Sequence, residues 1–202
     1  MVNADEIMKQ EDFRRCADFH GHICPGLAIG YRAGKAALER LAERRAPDEE
    51  MVTTVETNAC STDALQVLTG CTFGKGNLIH KDRGKHAYTI ASRKTGEGVR
   101  IALKDGVMRL SDRHLELIHK IRGDQATEAE KHEFQSLHAD KGRELLERPL
   151  EELFSIRKTR VPVPEKAVIE PSKPCACCQE PTMVSKLEKV QGELLCRDCA
   201  GL

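Results

Sequence analysis

Apolar residues recur along much of the chain at the three- and four-residue spacing that places them on one face of an α-helix. The pattern predicts helices over residues 5–19, 25–45, 61–68, 111–121 and 127–147. Pro25 suits the first turn of the second helix, where a backbone N–H has no intrahelical partner. Thr127 and Glu130 have the spacing of a capping box, which marks the start of the last helix.

Alternating β-branched and polar residues predict a strand over residues 52–57. Further strands are predicted over residues 77–81, 86–92 and 99–104. The turn Gly96-Glu97-Gly98 separates the last two and favours a hairpin there. Helices mixed with such strands predict an α+β fold, in which the helices pack on a mainly antiparallel sheet.

Proline content divides the chain into three predicted parts. Residues 1–160 form the α+β core domain, and residues 175–202 form a small four-cysteine zinc module. Residues 161–174 contain four prolines and are expected to form an extended connector between them.

The charge of the 202-residue chain is balanced, with 32 basic and 32 acidic residues, so neither nucleic acid nor a membrane surface is favoured as a partner. Hydrophobic residues make up 40% and aromatic residues only 3%, which predicts a mostly aliphatic core. No secretion signal opens the sequence, and no apolar run approaches the ~18 residues of a membrane span. Nine cysteines in such a chain favour metal and thiol chemistry in the cytoplasm over disulfides.

The strongest chemical signal is a pair of C-x-x-C motifs near the C-terminus. Cys175 and Cys178 are followed, after seventeen residues, by Cys196 and Cys199. Four thiolates at this spacing are the ligands that tetrahedral Zn²⁺ prefers. Cys177 leaves the register open, although the two-residue spacer favours Cys178. Two short strands are expected between the motifs, joined by a turn at residues 191–192.

A second candidate site lies where the first two helices meet. His20, His22 and Cys24 alternate along five residues, and an extended segment would turn both imidazoles to the same side. Cys24 precedes a helix, whose N-terminus favours a thiolate. These donors suit Zn²⁺ or another transition metal, and three ligands with an open fourth position would form a catalytic arrangement.

Cys60 lies between a predicted strand and a predicted helix, which is a second helix N-terminus. It is either a nucleophile or a further metal ligand beside Cys24, and the alternative is a buried packing residue. We expect His20, His22, Cys24 and Cys60 to converge in one cleft.

A glycine-rich segment over residues 70–77 contains Lys75, which would meet an anionic group of a ligand. The alternative is a turn with a solvated lysine. The catalytic candidates are therefore Cys60, His22, Cys24 and Lys75. Four further histidines have no metal-ligand spacing and are expected on solvated helix faces: His114, His119, His132 and His138.

Three segments together resemble the FmdE family, which takes its name from the E component of formylmethanofuran dehydrogenase. They are FHGHICPGLAIG at 19–30, ETNACSTDA at 56–64 and LTGCTFGKGN at 68–77. The resemblance spans roughly residues 10–155 and implies an α+β core that forms homodimers, with a site around residues 20–24 and the later cysteine. It also implies an association with the molybdenum or tungsten enzyme that reduces CO₂ to a formyl group on methanofuran.

Three functions follow from these observations. The first is a metal- or thiol-dependent protein that acts on a small metabolite of one-carbon metabolism. The second is an accessory or docking component of a formylmethanofuran dehydrogenase-type complex, without turnover of its own. The third is a zinc-ribbon regulatory or nucleic-acid-binding module, which is disfavoured because its three basic residues are offset by acidic ones.

Overall fold

The computed structural model describes residues 3–43, 45–166 and 168–202. These fall into two compact units, one ending at Lys166 and one comprising the described residues after it, through Leu202. The first unit contains helices and a five-stranded sheet, so the predicted α+β class is confirmed.

The helices of the first unit follow the predicted pattern, except that the first is divided, α3 is shorter and the short α7 was not predicted. They are α1 (Ala4–Lys9), α2 (Glu11–His20), α3 (Pro25–Leu41), α4 (Ser61–Thr69), α5 (Asp112–Arg122), α6 (Glu128–Glu147) and α7 (Leu150–Leu153). The helix predicted over residues 5–19 is divided, because Gln10 is extended and caps both α1 and α2. The helix α3 ends at Leu41, because the next residue, Ala42, has a left-handed backbone with φ 52°. Arg44, which the prediction included in this helix, lies outside the described residues. The capping box of Thr127 and Glu130 is confirmed at the start of α6.

The sheet of the first unit is antiparallel except at one edge. Its strands are β1 (Met51–Val55), β2 (Leu78–His80), β3 (Ala87–Ser92), β4 (Glu97–Leu103) and β5 (Phe154–Arg160), in the order β2-β1-β3-β4-β5. The strands β1 and β2 are parallel, and the hairpin predicted between β3 and β4 is confirmed. The sequence pattern did not predict the edge strand β5, because its basic C-terminal half does not alternate apolar and polar residues. Pairing with β4 holds this strand in place.

One face of the sheet and the apolar faces of the helices enclose the core. The inward side chains of the three central strands are almost fully buried: Val55, Tyr88, Ile90, Val99 and Ile101. As the composition predicted, aliphatic residues dominate, and the edge-on contact of Phe13 with Tyr31, at 5.0 Å between ring centroids, is a local exception.

Three glycines spaced four residues apart let α3 pack closely against α4. A Cβ atom added at Gly26 would lie 2.9 Å from Cβ of Cys60, and one at Gly30 would lie 2.1 Å from the carbonyl oxygen of Ser61. Gly34 continues the same row, since residues four apart share a helix face. The missing side chains therefore bring the first turns of α3 and α4 together.

The second unit is built from two small hairpins and a short helix. It contains β6 (Ser172–Pro174), β7 (Pro181–Met183), β8 (Glu188–Val190), β9 (Glu193–Leu195) and α8 (Arg197–Ala200). Residues 172–174, within the predicted connector, form a strand of this unit. The turn predicted at residues 191–192 joins β8 and β9, and Gln191 and Gly192 both have positive φ. None of the described helices is long and apolar enough to span a membrane.

Candidate metal centres

Four cysteines of the second unit turn their sulfurs toward one another. The Sγ atoms of Cys175, Cys178, Cys196 and Cys199 all lie within 4.8 Å of one another. Their separation is suited to four ligands around one ion. Cys177 is exposed and lies outside this group, so the donor set contains Cys178.

Backbone N–H groups stabilise a thiolate at one of these four positions. The amide of Cys196 donates to the sulfur of Cys175 at 3.2 Å. This hydrogen bond, followed by one from the amide of Cys178, lowers the pKa of Cys175 to about 6. The pKa of Cys199 is raised, mainly because its thiol shares a hydrogen bond with Cys196 and to a smaller extent because it shares one with Cys178. The remaining thiols would release protons when a metal binds.

The first unit holds a second cluster of donors. A ring nitrogen of His20 and the Sγ atoms of Cys24 and Cys60 all lie within 4.8 Å of one another. The distance from Cys24 Sγ to His20 Nε2 is 3.6 Å. One imidazole and two thiols at this separation form a three-donor set for a soft or borderline cation.

Three helix ends bring these donors together. His20 is the last residue of α2, and Gly21 after it is left-handed with φ 91°, which turns the chain toward α3. Cys24 and Cys60 are the N-cap residues of α3 and α4. Because Gly26 has no side chain, the first turn of α3 lies against Cys60. The meeting of the two thiols thus depends on the glycine row of α3.

Asp63 orients the imidazole of His20. Its Oδ2 atom lies 2.7 Å from Nδ1 of His20, which leaves Nε2 facing the two sulfurs. A carboxylate that holds the outer nitrogen of a histidine ligand is the usual second layer of a metal site. The sequence pattern did not predict a role for Asp63. The only available signal was its position one turn after Cys60 on α4.

Burial decides the protonation of Cys24. It raises the pKa of this thiol to about 11, and the adjacent Cys60 adds to the rise. The amide of Leu27 donates to the sulfur at 3.3 Å and acts in the opposite direction. Desolvation therefore outweighs the thiolate-stabilising effect that we expected from the helix N-terminus, and a bound cation would reverse the balance.

His22 lies beside the cluster but outside its donor set. Its ring is 4.4 Å from the ring of His20, between centroids, and the residue is exposed. The pKa of His22 is lowered, mainly by partial burial and to a smaller extent by the charge of the neighbouring His20. The imidazole is thus placed to contact a ligand from the solvent side.

Lys75 is not brought to this cluster. It follows the C-terminal end of α4, whereas Cys60 precedes the N-terminal end of the same helix. Its ammonium group donates to the carbonyl oxygen of Asp48 at 3.1 Å. In the same loop, Cys71 is fully buried.

Two histidines expected on solvated faces form a pair instead, in which His114 is buried and His138 is half-buried. His114 is only 3% exposed, and its Nε2 atom lies 2.9 Å from Nδ1 of His138. The expectation for His114 was wrong, because α5 and α6 pack together and enclose its ring. One turn further along α6, an added Cβ at Gly142 would lie 3.6 Å from the carbonyl group of Cys24.

The fold and these donors define an α+β protein with a His/Cys cluster in its core and a separate four-cysteine module, each suited to hold a metal ion. The chain belongs to the FmdE family. The family, described as "FmdE, Molybdenum formylmethanofuran dehydrogenase operon", matches residues 19–155, so the predicted membership is confirmed.

Two further proteins resemble the chain over most of its length. A protein of Archaeoglobus fulgidus named "Probable S-adenosyl-L-methionine-binding protein" is 36% identical over 194 residues, which are 93% of this chain. The chain spans about half of that relative, 52% of its length. The crystal structure of a tungsten formylmethanofuran dehydrogenase FmdE-like protein from Syntrophus aciditrophicus matches with a TM-score of 0.60 and 24% identity. The match covers 98% of this chain and 92% of that one, and it shows a shared fold.

Proposed function

We propose that the protein binds two metal ions, and that the ion in its core acts on a small metabolite of one-carbon metabolism. The observation that carries this proposal is the convergence of His20, Cys24 and Cys60 within 4.8 Å, with Asp63 fixing the histidine. Three protein ligands leave the fourth position of a tetrahedral ion open.

The core ion would be Zn²⁺ or another transition metal, since imidazole and thiolate donors suit these ions. When bound at an open position, such an ion polarises a carbonyl group or activates water. The chain's own contribution is to orient His20 through Asp63 and to exclude water from the buried Cys24. His22, exposed beside His20, would contact the substrate. Cys60 acts as a ligand here, and its alternative role is a nucleophile.

The four-cysteine module would hold a structural Zn²⁺. Four thiolates close the coordination of a tetrahedral ion and leave no position for a substrate. A unit of this size buries too little apolar surface to fold well alone, so metal binding would supply much of its folding free energy.

The name of the A. fulgidus relative, which refers to S-adenosyl-L-methionine, supports a metabolite ligand. S-adenosyl-L-methionine is therefore a suitable first ligand to test. Support for a second function comes from the family description, which refers to a molybdenum formylmethanofuran dehydrogenase operon. On that basis the protein would be an accessory component of such an enzyme complex. The family resemblance supports our proposal of a homodimer, and the many free cysteines support our proposal of a cytoplasmic location.

Metal analysis of the full-length chain tests the proposal. After loading with Zn²⁺ and gel filtration, the wild-type protein should retain two ions per chain, and Cys60→Ser and Cys178→Ser should each retain one. Cys177→Ser should retain both, because Cys177 is exposed and lies outside the donor set. Full metal content in Cys60→Ser would refute the core site. Turnover or metabolite binding lost with Cys60→Ser would favour the first function, whereas association with the dehydrogenase without any ligand binding would favour the second.

A further inference from the structure

The outer face of the five-stranded sheet carries a row of polar residues that crosses four of its strands, β1, β3, β4 and β5. Backbone pairing aligns Thr54 of β1 with Thr89 of β3, Thr89 with Arg100 of β4, and Arg100 with Arg157 of β5. At the other edge, Ile79 of β2 pairs with Thr54. Side chains paired in register stand on the same face of a sheet, so this row forms one continuous surface.

Small residues on either side of the row make this face concave. Ala91 and Gly98 pair in one neighbouring row, and Ala87 and Ala102 pair in the other. A Cβ atom added at Gly98 would lie only 2.9 Å from Cβ of Ala91. Residues 161–164 border the depression, which is an open cavity of about 650 Å³. This volume is in the range of small-molecule sites.

Glu56 lines the cavity with an unsatisfied carboxylate oxygen. Its side chain is only 3% exposed, and Oε1 accepts hydrogen bonds from Arg83, at 3.1 Å, and from Arg100. The buried Oε2 atom has no hydrogen-bond partner in the part of the chain that the structure describes. The hydrogen bond from Arg100 is the largest effect on the pKa of Glu56 and lowers it, while burial acts in the opposite direction. The net pKa is below its ordinary value, so the carboxylate is ionised. A buried acceptor without a donor is costly, and a ligand N–H or O–H would satisfy it.

Cations outnumber this single carboxylate. Lys81, Arg83, Arg100 and Arg157 all line the cavity. Two of them, Lys81 and Arg157, are exposed and form no ion pair with any described residue. An excess of positive charge over a concave, partly desolvated surface attracts an oxyanion, which arginine can bind with two parallel hydrogen bonds.

We propose that this face binds a small oxyanion, a phosphate or a polycarboxylate, that also donates a hydrogen bond to Glu56. The site is separate from the His20–Cys24–Cys60 cluster, since the inner face of the sheet packs against the helices. A second copy of the chain fits poorly, because a two-fold interface would place the cationic row against itself. Nucleic acid also fits poorly, because none of the lining residues is aromatic and could stack on a base.

Calorimetric titration of the full-length chain with pyrophosphate and with citrate, at constant ionic strength, tests this proposal. Saturable binding of at least one of them is expected. Arg157→Gln should weaken the affinity for the anion by about tenfold, which is the usual effect of losing one charge-assisted pair of hydrogen bonds. Lys158→Gln is the matched control, since it removes the same charge from the next residue of β5 on the opposite face and should leave affinity unchanged.

Three results would overturn the proposal. They are no saturable binding of either anion at millimolar concentration, equal weakening by both variants, and dissociation of a dimer by Arg157→Gln in sedimentation. The last would identify the face as a protein interface. Cys60→Ser should bind the anions as the wild type does, so failure of the proposed metal function and failure of this site are distinguishable.

Discussion

The imidazole of His20 and the carboxylate of Asp63 form a hydrogen bond of 2.7 Å between residues 43 positions apart in the sequence. Asp63 lies in the first turn of α4, and His20 ends α2. The contact selects which ring nitrogen faces the sulfurs, because Nδ1 is occupied and Nε2 is left 3.6 Å from Cys24. Without this contact the same three donors would remain, but no carboxylate would fix the orientation of the imidazole.

Replacing Asp63 with Asn should weaken metal binding at the core cluster by about 10- to 100-fold, the usual effect of losing a second-layer partner. The affinity of the four-cysteine module should not change. Competition with a chromogenic chelator would measure both sites. Asp18→Asn is the control, because Asp18 is an exposed carboxylate of the same helix as His20. An unchanged core affinity in Asp63→Asn would contradict the orienting role.

Gly30→Ala should separate α3 from α4, because its Cβ would lie 2.1 Å from the carbonyl oxygen of Ser61. We expect a loss of about 1–3 kcal/mol in the free energy of unfolding, as for other overpacked cores. Core metal affinity should fall as well, since Cys24 and Cys60 move apart. Urea unfolding and metal titration would measure the two effects. Gly74→Ala should change neither, because no atom lies within 4 Å of its added Cβ.

The ion pairs of Glu56 should make stability depend on pH. Hydrogen bonding with Arg100 is the main reason that the pKa of Glu56 lies below its ordinary value of 4.5 in the folded protein. The resulting stabilisation is fully present above the ordinary value and is lost as the pH falls through the lower folded-state value. Urea unfolding at successively lower pH should show a smaller acid-induced loss for Glu56→Gln than for the wild type. The exposed Glu97→Gln should behave as the wild type does.

Removal of metal with a chelator should unfold the second unit selectively. Its hairpins are three residues per strand, whereas the first unit has its own aliphatic core. Limited proteolysis followed by mass spectrometry should show cleavage after residue 168 and a protected first unit. Equal resistance of both units after complete metal removal would show that the module folds without an ion.

Features that depend on short-range order are predictable from the sequence. The period of apolar residues locates α3 and α6, and the capping box of Thr127 and Glu130 marks a helix start that the structure confirms. Two C-x-x-C motifs locate the four-cysteine donor set, because a spacing of three residues lets each pair turn both sulfurs toward one point. These signals depend on backbone preferences within a few residues, which neighbouring elements leave unchanged.

The directions of side chains across the fold are decided by tertiary packing. The sequence pattern predicted that His20, His22, Cys24 and Cys60 converge, but the structure leaves His22 outside the donor set and adds Asp63 behind it.

The same dependence on packing explains the placement of β5 and the contact of the buried His114 with His138. Sequence alone therefore determined which residue types and local elements are available. The close approach of α3 to α4, allowed by glycines that leave no side chain between them, decided which of those residues share a site.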